Sequence, residues 1–305
     1  MHLSSVVDLI GNTPLIEIKS LRTFLPESIR VFLKAEWFNP GGSVKDRPAR
    51  NIVLTAMEQG KLKPGGTLLD ASSGNTAIAY AMLGAALGFR VVMCVPQNAS
   101  PERKRTLIAY GARLILTDPN ESSDGAIRQA QKMVREEPSI YFYADQYGND
   151  ANWQAHYKTT GPEIAAQTAR QISHFVVGLG TSGTCMGVGR FMRDHLPDVK
   201  IIAFQPDSPF HGLEGLKHME TAIVPKIYND TVPHQHKTCV TERAYTMARH
   251  LARHDGLFVG ISTGAALAMA IDVGQDIAKQ QKNACIVALA PDGGSRYLSE
   301  RFWEG

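Results

Sequence analysis

The stretch TLLDASSGNTAIAYAMLGAALG, residues 67–88, decides the fold class because its character changes in the middle. Its first five residues, 67–71, are mostly apolar and end at turn residues, which predicts a short strand. Small polar residues follow, and the stretch from Asn75 onward has the composition of a buried helix. A strand that enters a helix through a short polar turn is the repeating unit of α/β folds.

The same alternation recurs along the chain. Further short β-branched runs, most of them followed by helical stretches, lie at 90–96, 113–118, 174–180, 199–206 and 284–292. Apolar strands bounded by helices are typical of parallel sheets that are covered on both faces. The sequence therefore predicts an α/β fold with two doubly wound series, about 40–145 and 146–305, which suggest two lobes with a cleft between them. Ligands in such folds bind beyond the carboxyl ends of the strands.

The composition argues against several classes of protein. The chain has 305 residues, 44% hydrophobic and 20% charged, as in globular proteins. A net charge of +3 with scattered basic residues argues against a nucleic-acid partner, and we expect the run ERKR (102–105) to be a solvated helix face. Four dispersed cysteines without a CxxC pair predict neither a disulfide framework nor a metal site. With no evident signal peptide, and with the longest apolar run about half a membrane span, we expect a cytoplasmic protein that binds no membrane.

A glycine-rich turn, GLGTSG at 178–183, lies between a predicted strand and a helix. It fits the G-x-G-x-x-G pattern, so an NAD-dependent oxidoreductase is one alternative. That pattern expects an acid at the end of the next strand, which ends instead at Gln205, with Asp207 two residues further on. Hydroxyl side chains in the turn and the start of the helix suit one compact phosphate monoester at least as well.

The polar turn inside the opening stretch is a second candidate anion site. Residues 72–76, SSGNT, join the predicted strand directly to the predicted helix. One Ser or Asn would suffice to cap the helix. A run of five small polar residues therefore favours binding of a small anion such as a carboxylate.

The stretch NPGGSVKDRPARN, 39–51, places Lys45 near a helix start. If Ser43 caps the helix, Pro48 lies too deep in it; the alternative is a helix that starts near Asp46. In both cases the positive end of the helix dipole favours neutral lysine, which is a nucleophile and a general base. A single lysine is nevertheless more often a solvated surface residue.

Six blocks together resemble the cysteine synthase family of fold-type II pyridoxal-phosphate enzymes. They are GNTPL (11–15), NPGGSVKDR (39–47), SSGNT (72–76), GTSGT (180–184), GISTGAA (260–266) and PDGGSRYLS (291–299). Six ordered blocks over nearly the whole chain are far more specific than any one of them. The resemblance implies a tryptophan synthase β-like architecture with a smaller, mobile domain at 40–145. The larger domain, 1–39 plus 146–305, would bind pyridoxal 5'-phosphate in the cleft between the two.

The resemblance also assigns roles to single residues. It implies that Lys45 is the Schiff-base and catalytic lysine, that Asn75 contacts the phenolic oxygen of the cofactor, and that Ser262 faces the pyridine nitrogen. The implied phosphate cup comprises Gly180, Thr181, Ser182, Gly183 and Thr184. The implied contacts of the substrate carboxylate and its loop are Ser72, Ser73, Gly74, Thr76 and Gln146. Ser72 stands where the family usually has Thr.

The implied reaction is a β-replacement on an O-activated L-serine, either O-acetylserine or O-phosphoserine, through an aminoacrylate intermediate. Sulfide, thiosulfate or a thiocarboxylate would then yield L-cysteine or S-sulfocysteine. Related enzymes that form cystathionine or diaminopropionate, or that eliminate the β-substituent, are the alternatives.

Three segments, 146–164, 178–193 and 215–230, look closest to the cysteine synthase B branch. There, Lys217 and His218 would accept a bulkier or more anionic substrate, and a solvated loop lysine is the alternative for Lys217. The family resemblance also implies a homodimer and a sulfur-carrier protein as a candidate partner.

Overall fold

The computed structural model describes residues 5–72 and 74–304. The strands are β1 (Leu15–Glu17), β2 (Ile29–Ala35), β3 (Thr67–Ala71), β4 (Arg90–Pro96), β5 (Arg113–Thr117), β6 (Tyr141–Tyr143), β7 (His174–Gly178), β8 (Lys200–Pro206), β9 (Gln235–Cys239) and β10 (Ala284–Ala290). The helices are α1 (Asp46–Glu58), α2 (Asn75–Leu87), α3 (Pro101–Ala109), α4 (Ser122–Glu136), α5 (Ala151–Lys158), α6 (Thr160–Gln167), α7 (Gly183–His195), α8 (Thr241–His254) and α9 (Ile261–Lys279). Short 3-10 helices are Ser20–Thr23, Glu36–Phe38, Pro119–Glu121, Gly294–Tyr297 and Arg301–Glu304.

In the described part of the chain the strands form two sheets. One has the order β5-β4-β3-β6 and is parallel throughout. The other has the order β1-β2-β10-β7-β8-β9, and it is parallel except where β1 pairs antiparallel with β2. The predicted α/β fold with parallel sheets is confirmed, and β3 and β4 begin and end at the predicted residues.

The described residues divide into two compact units. The first contains the residues up to Ile10 and Asn39–Ala155, and the second contains Gly11–Phe38 and the residues from His156 onward. The predicted boundaries assign residues 5–10, Asn39 and 146–155 to the larger domain, whereas the contacts place them in the first unit. The reason is packing, since Val7, Ile10 and Ala151 lie in the apolar core of the first unit.

Each unit contains a buried helix that begins inside one of the six sequence blocks. Helix α2 begins within the block 72–76, and α9 begins within the block 260–266. In α2, residues 76–84 are all buried, and in α9, residues 261–271 are all buried, so both helices are enclosed on every face. Small residues allow this: a Cβ at Gly264 would collide with the Ala244 carbonyl of α8. Within the described residues, no helix combines the length and the apolar character that crossing a membrane requires.

Candidate active site

Helix α1 begins at Asp46, so the later of the two predicted helix starts is correct. Lys45 is the half-buried N-cap residue, and its N–H donates to Ser43 Oγ at 3.2 Å. Pro48 is then the third helical residue, where a missing N–H costs no helical hydrogen bond. The Asp46 carboxylate is buried and accepts the N–H of Gly41, where a Cβ would collide with that carboxylate. This closed turn fixes the Lys45 backbone at the positive end of α1.

The predicted carboxylate loop leaves β3 and enters α2. The Gly74 N–H donates to Ser72 Oγ at 3.3 Å, which shapes the turn before the helix. Gly74 is the N-cap residue and Asn75 is the first residue of α2, and both are half-buried. Ser73 lies outside the described residues. Backbone N–H groups in the first turn of α2 have no helical acceptor, which suits an anion.

Gln146 binds this loop from both sides. Its Nε2 donates to the Ala71 carbonyl and its Oε1 accepts from Thr76 Oγ1, each at 2.8 Å. Its backbone N–H donates to Asp70 Oδ2 at 3.2 Å, and its carbonyl accepts from Asn152 Nδ2 at 2.7 Å. The structure thus brings the predicted residues Gln146 and Thr76 into contact. Sequence reasoning missed the two residues, Asp70 and Asn152, that hold Gln146.

Asp70 is a buried acid at the carboxyl end of β3. Its Oδ1 accepts the Ala71 N–H at 2.8 Å. Burial raises the pKa of Asp70 to about 7, although its bonds from the N–H groups of Ala71 and Gln146 lower the pKa. The charge of Asp145 raises the pKa further. The available sequence signal was an acid inside a strand that is otherwise mostly apolar.

Arg103 is a second residue that the sequence did not assign to the site. Glu102 and Arg105 are exposed, as expected for a solvated face of α3, whereas Arg103 and Lys104 are half-buried. A Cβ at Gly74 would lie 3.9 Å from Arg103 Nη1, so a guanidinium lies beside the carboxylate loop. A cation at this place adds to the attraction of the loop for an anion.

In the second unit, α7 begins at Gly183, directly after the glycine-rich turn. Ser182 is buried in the left-handed conformation, with φ 66°, and its Oγ has no hydrogen-bond partner among the described residues. Thr181 is buried, and its Oγ1 accepts the Gly183 N–H at 3.4 Å. A buried hydroxyl without a partner at a helix start fits the phosphate of pyridoxal phosphate.

A buried histidine lies behind this cup. Thr184 Oγ1 is 3.3 Å from Nε2 of His156, and Nδ1 of His156 is 2.9 Å from Thr160 Oγ1. His156 is 1% exposed, so the Thr184 hydroxyl is held from the interior of the second unit.

The segment after β8 packs against the cup and carries Lys217. The Lys217 N–H donates to the Leu179 carbonyl at 2.8 Å, and a Cβ at Gly180 would collide with the Gly215 carbonyl. Lys217 is only 8% exposed, which contradicts the alternative of a solvated loop lysine. The tertiary structure therefore brings Lys217 next to the cup.

Gln205 argues against the alternative that the glycine-rich turn binds NAD. It stands near the end of β8, where that reading requires an acid for a ribose hydroxyl. Its Oε1 instead accepts the Met219 N–H at 2.8 Å. The end of β8 thus holds the segment that contains Lys217.

Ser262 is buried in the first turn of α9. A Cβ at Gly260 would collide with the Asp292 carboxylate, and the Gly260 N–H donates to the Asp292 carbonyl at 3.0 Å. Tyr297 donates its hydroxyl to Asp292 Oδ2 at 2.7 Å. The fifth and sixth sequence blocks therefore pack on one another and fix the backbone that precedes Ser262.

Comparisons with known proteins agree with this geometry. A family model described as pyridoxal-phosphate dependent enzyme matches residues 6–292. The cysteine synthase of Aquifex aeolicus is 48% identical over 296 residues, which cover 97% of this chain and 90% of that protein. Cysteine synthase B of Escherichia coli is 40% identical over 298 residues, or 97% and 95% of the two chains. A crystal structure of cysteine synthase from Entamoeba histolytica matches with a TM-score of 0.93 at 34% identity, covering 100% of this chain and 92% of that chain. The chain belongs to the cysteine synthase family of fold-type II, pyridoxal-phosphate-dependent enzymes.

Proposed function

We propose that this chain replaces the β-substituent of an O-activated L-serine by a sulfur nucleophile, forming L-cysteine or S-sulfocysteine. The observation that carries the proposal is the position of Lys45, half-buried at the N-cap of α1. An ammonium is disfavoured at the positive end of a helix, so this lysine is suited to bind a carbonyl and to accept a proton.

Bound pyridoxal phosphate supplies an electron sink for bonds at the α-carbon of an amino acid. Lys45 Nζ would hold its aldehyde, the turn from Gly180 to Thr184 its phosphate, and Asn75 its phenolic oxygen. Ser262 would donate a hydrogen bond to the pyridine nitrogen. A neutral hydroxyl there, rather than a carboxylate, limits the electron withdrawal and suits rapid loss of a β-leaving group. Lys45 Nζ, once displaced by the substrate amine, would remove the α-proton and later return it.

The substrate carboxylate would bind to the loop before α2. Ser72, Ser73 and Thr76 would supply hydroxyls, and the N–H groups at the helix start would supply further donors. Gln146 would contact the carboxylate while it holds Thr76. When the loop closes on the substrate, it would exclude water from the reacting carbons.

Lys217 is the residue that would distinguish the substrates. Its charge, buried beside the glycine-rich turn, would attract a second anionic group, such as the phosphate of O-phosphoserine or the sulfonate end of thiosulfate. His218 is the adjacent candidate. The bond from the Lys217 N–H to Leu179 supports this role because it places the lysine segment at the turn.

The test begins with the spectrum of the purified protein after addition of pyridoxal phosphate. Cofactor bound to a lysine absorbs visible light, and we expect this absorbance in the wild type and its loss in Lys45→Ala. Lys61→Ala, an exposed lysine of the same unit, is the matched control and should keep the absorbance. A wild type that stays colourless would contradict the proposal.

The second step of the test supplies the substrates separately. O-acetylserine and O-phosphoserine are each mixed with sulfide or thiosulfate, and cysteine and S-sulfocysteine are measured by mass spectrometry. We expect product only with the wild type and Lys61→Ala. A coloured wild type that forms neither product from any pair would refute the assigned reaction while retaining the cofactor.

The family also supports a homodimer, for which light scattering should give twice the chain mass. A sulfur-carrier protein that ends in a thiocarboxylate is a further candidate donor, and cysteine formation from such a protein would support that role.

A further inference from the structure

The Asp70 carboxylate accepts two backbone N–H groups from different segments. Oδ1 accepts from Ala71, next to the substrate loop, and Oδ2 accepts from Gln146 in the turn after β6. Gln146 in turn binds the Ala71 carbonyl and the Thr76 hydroxyl. Two successive hydrogen bonds thus connect Asp70 to Thr76, and Gln146 is the residue between them.

The ionised form of Asp70 matches this environment. A carboxylate offers acceptor sites on both oxygens, whereas a protonated acid turns one oxygen into a donor and an amide has only one acceptor oxygen. Two N–H donors that point at both oxygens therefore favour the charge. The charge is nevertheless buried, at 1% exposure. Burying a charge costs free energy, and a neutral side chain could also accept a backbone N–H at the end of a strand. Backbone hydrogen bonding alone therefore does not account for a buried carboxylate here.

We propose that Asp70 is a positioning residue for the amino-acid substrate, whose ionised carboxylate holds Gln146 and, through it, Thr76 of the carboxylate loop. Protonation of Asp70 weakens this arrangement and lowers the affinity for the substrate. The inference rests on the proposed function, because it concerns the carboxylate of the same substrate.

Among the described residues, the groups with the largest influence on the ionisation of Asp70 are an acid, the Tyr80 hydroxyl and two backbone N–H groups. The groups that face it are Asp145 from the turn after β6, Tyr80 from α2, Tyr143 from β6, Cys94 from β4 and Tyr147. Burial, together with the charge of Asp145, raises the pKa of Asp70 to about 7. Both protonation states are therefore populated near neutral pH, so a change in pH can reveal the role of the carboxylate.

The first variant is Asp70→Asn, which keeps the shape and removes the charge. At pH 8.5 we expect KM for the amino-acid substrate to rise about tenfold, with kcat within about threefold of the wild type, as for one lost charge-assisted hydrogen bond. At pH 6 the two enzymes should converge, because the wild-type carboxyl is then protonated. Asp70→Glu restores a carboxylate and should recover the pH dependence, although its extra methylene crowds the site.

The second variant leaves Asp70 in place and changes only its neighbour. Asp145→Asn removes the charge that raises the pKa of Asp70, and Asn tolerates the left-handed φ of 45° at this position. The acidic limb of the kcat/KM profile should therefore move to lower pH. In the protein without substrate, Asp70→Asn should also speed hydrogen exchange of the peptide that contains the Gln146 amide.

The outcomes separate this proposal from the proposed function. Unchanged KM in Asp70→Asn, or an acidic limb that neither variant moves, would overturn the positioning role while cysteine formation continues. Should Asp70→Asn fail to fold, the Asp145→Asn profile decides alone. A wild type that forms no product refutes the function itself.

Discussion

Three lysines of this chain lie in different environments: Lys34, Lys45 and Lys217. Lys34 is fully buried, and its Nζ donates to the Thr13 carbonyl, Glu163 and Gln167, so its charge serves the fold. Lys45 stands half-buried at a helix start, where a neutral amine is favoured. Lys217 is buried in an irregular segment beside the glycine-rich turn. Burial and neighbouring groups, rather than residue type, therefore distinguish the three lysine environments.

Lys217→Ala should lower kcat/KM for O-phosphoserine by about 10- to 100-fold and change O-acetylserine use little, since only the phosphate gains a charge-assisted bond. Initial rates with both substrates measure the ratio. Lys226→Ala, an exposed lysine of the same segment, is the control and should leave the ratio unchanged. An equal decrease of kcat/KM for both substrates would show that Lys217 does not select between them.

The buried ion pair connects β2 to α6 and to the first sequence block. Lys34 Nζ lies 2.6 Å from Glu163 Oε2, and Glu163 Oε1 accepts the Asn12 N–H at 3.0 Å. The pair therefore holds the turn that contains Asn12, a non-glycine residue with a left-handed φ of 49°. Block one is thus fixed by long-range contacts of β2 and α6.

Lys34→Met should destabilise the protein by about 3–5 kcal/mol, because it leaves the Glu163 carboxylate without its cation. The double variant with Glu163→Gln should lose less, since the amide still accepts from Asn12. Midpoints of thermal unfolding provide the comparison. Arg30, on the same strand as Lys34, forms an exposed pair with Glu17 of β1, and Arg30→Ala should cost at most about 1 kcal/mol. Equal losses for Lys34→Met and Arg30→Ala would contradict this argument.

The free energy of unfolding of the whole protein should depend on pH through the ionisation of Asp70. The folded pKa of about 7 lies above the ordinary 3.8, so between these values the folded state retains a proton that the unfolded state has lost. The contribution of Asp70 is therefore fully present below pH 3.8, declines as the pH rises to 7, and stays lost above that. The protein should therefore be less stable at a pH at which the buried Asp70 is ionised.

Thermal unfolding of the wild type and Asp70→Asn, followed by circular dichroism from pH 4 to 8, should show this decline. The midpoint of the wild type minus that of the variant should fall as the pH rises through the window. Asp198→Asn, an exposed aspartate, should give a constant difference. A constant difference for Asp70→Asn would mean that Asp70 is not titrating in the folded core.

Sequence patterns predicted the elements whose signal is local. β3, β4 and α2 follow from apolar runs and a polar turn, and the start of α1 agrees with the position of Pro48. The pattern missed β1 and β6, which have three residues each and too few positions for a period. It also missed β2, where Arg30 and Lys34 interrupt the apolar run. Lys34 is hidden in the core because its partners come from distant segments.

By itself, the sequence determined the α/β class, the order of the six blocks and the lysine that belongs to the family motif, since each rests on residues close together in the chain. Only the tertiary structure decided that Asp70 holds Gln146, 76 positions away, that Arg103 lies beside Gly74, and that Lys217 is buried. Periodicity reports the face that a residue occupies on its own element. The partner that reaches that face from another element depends on packing over long separations, which no local pattern encodes.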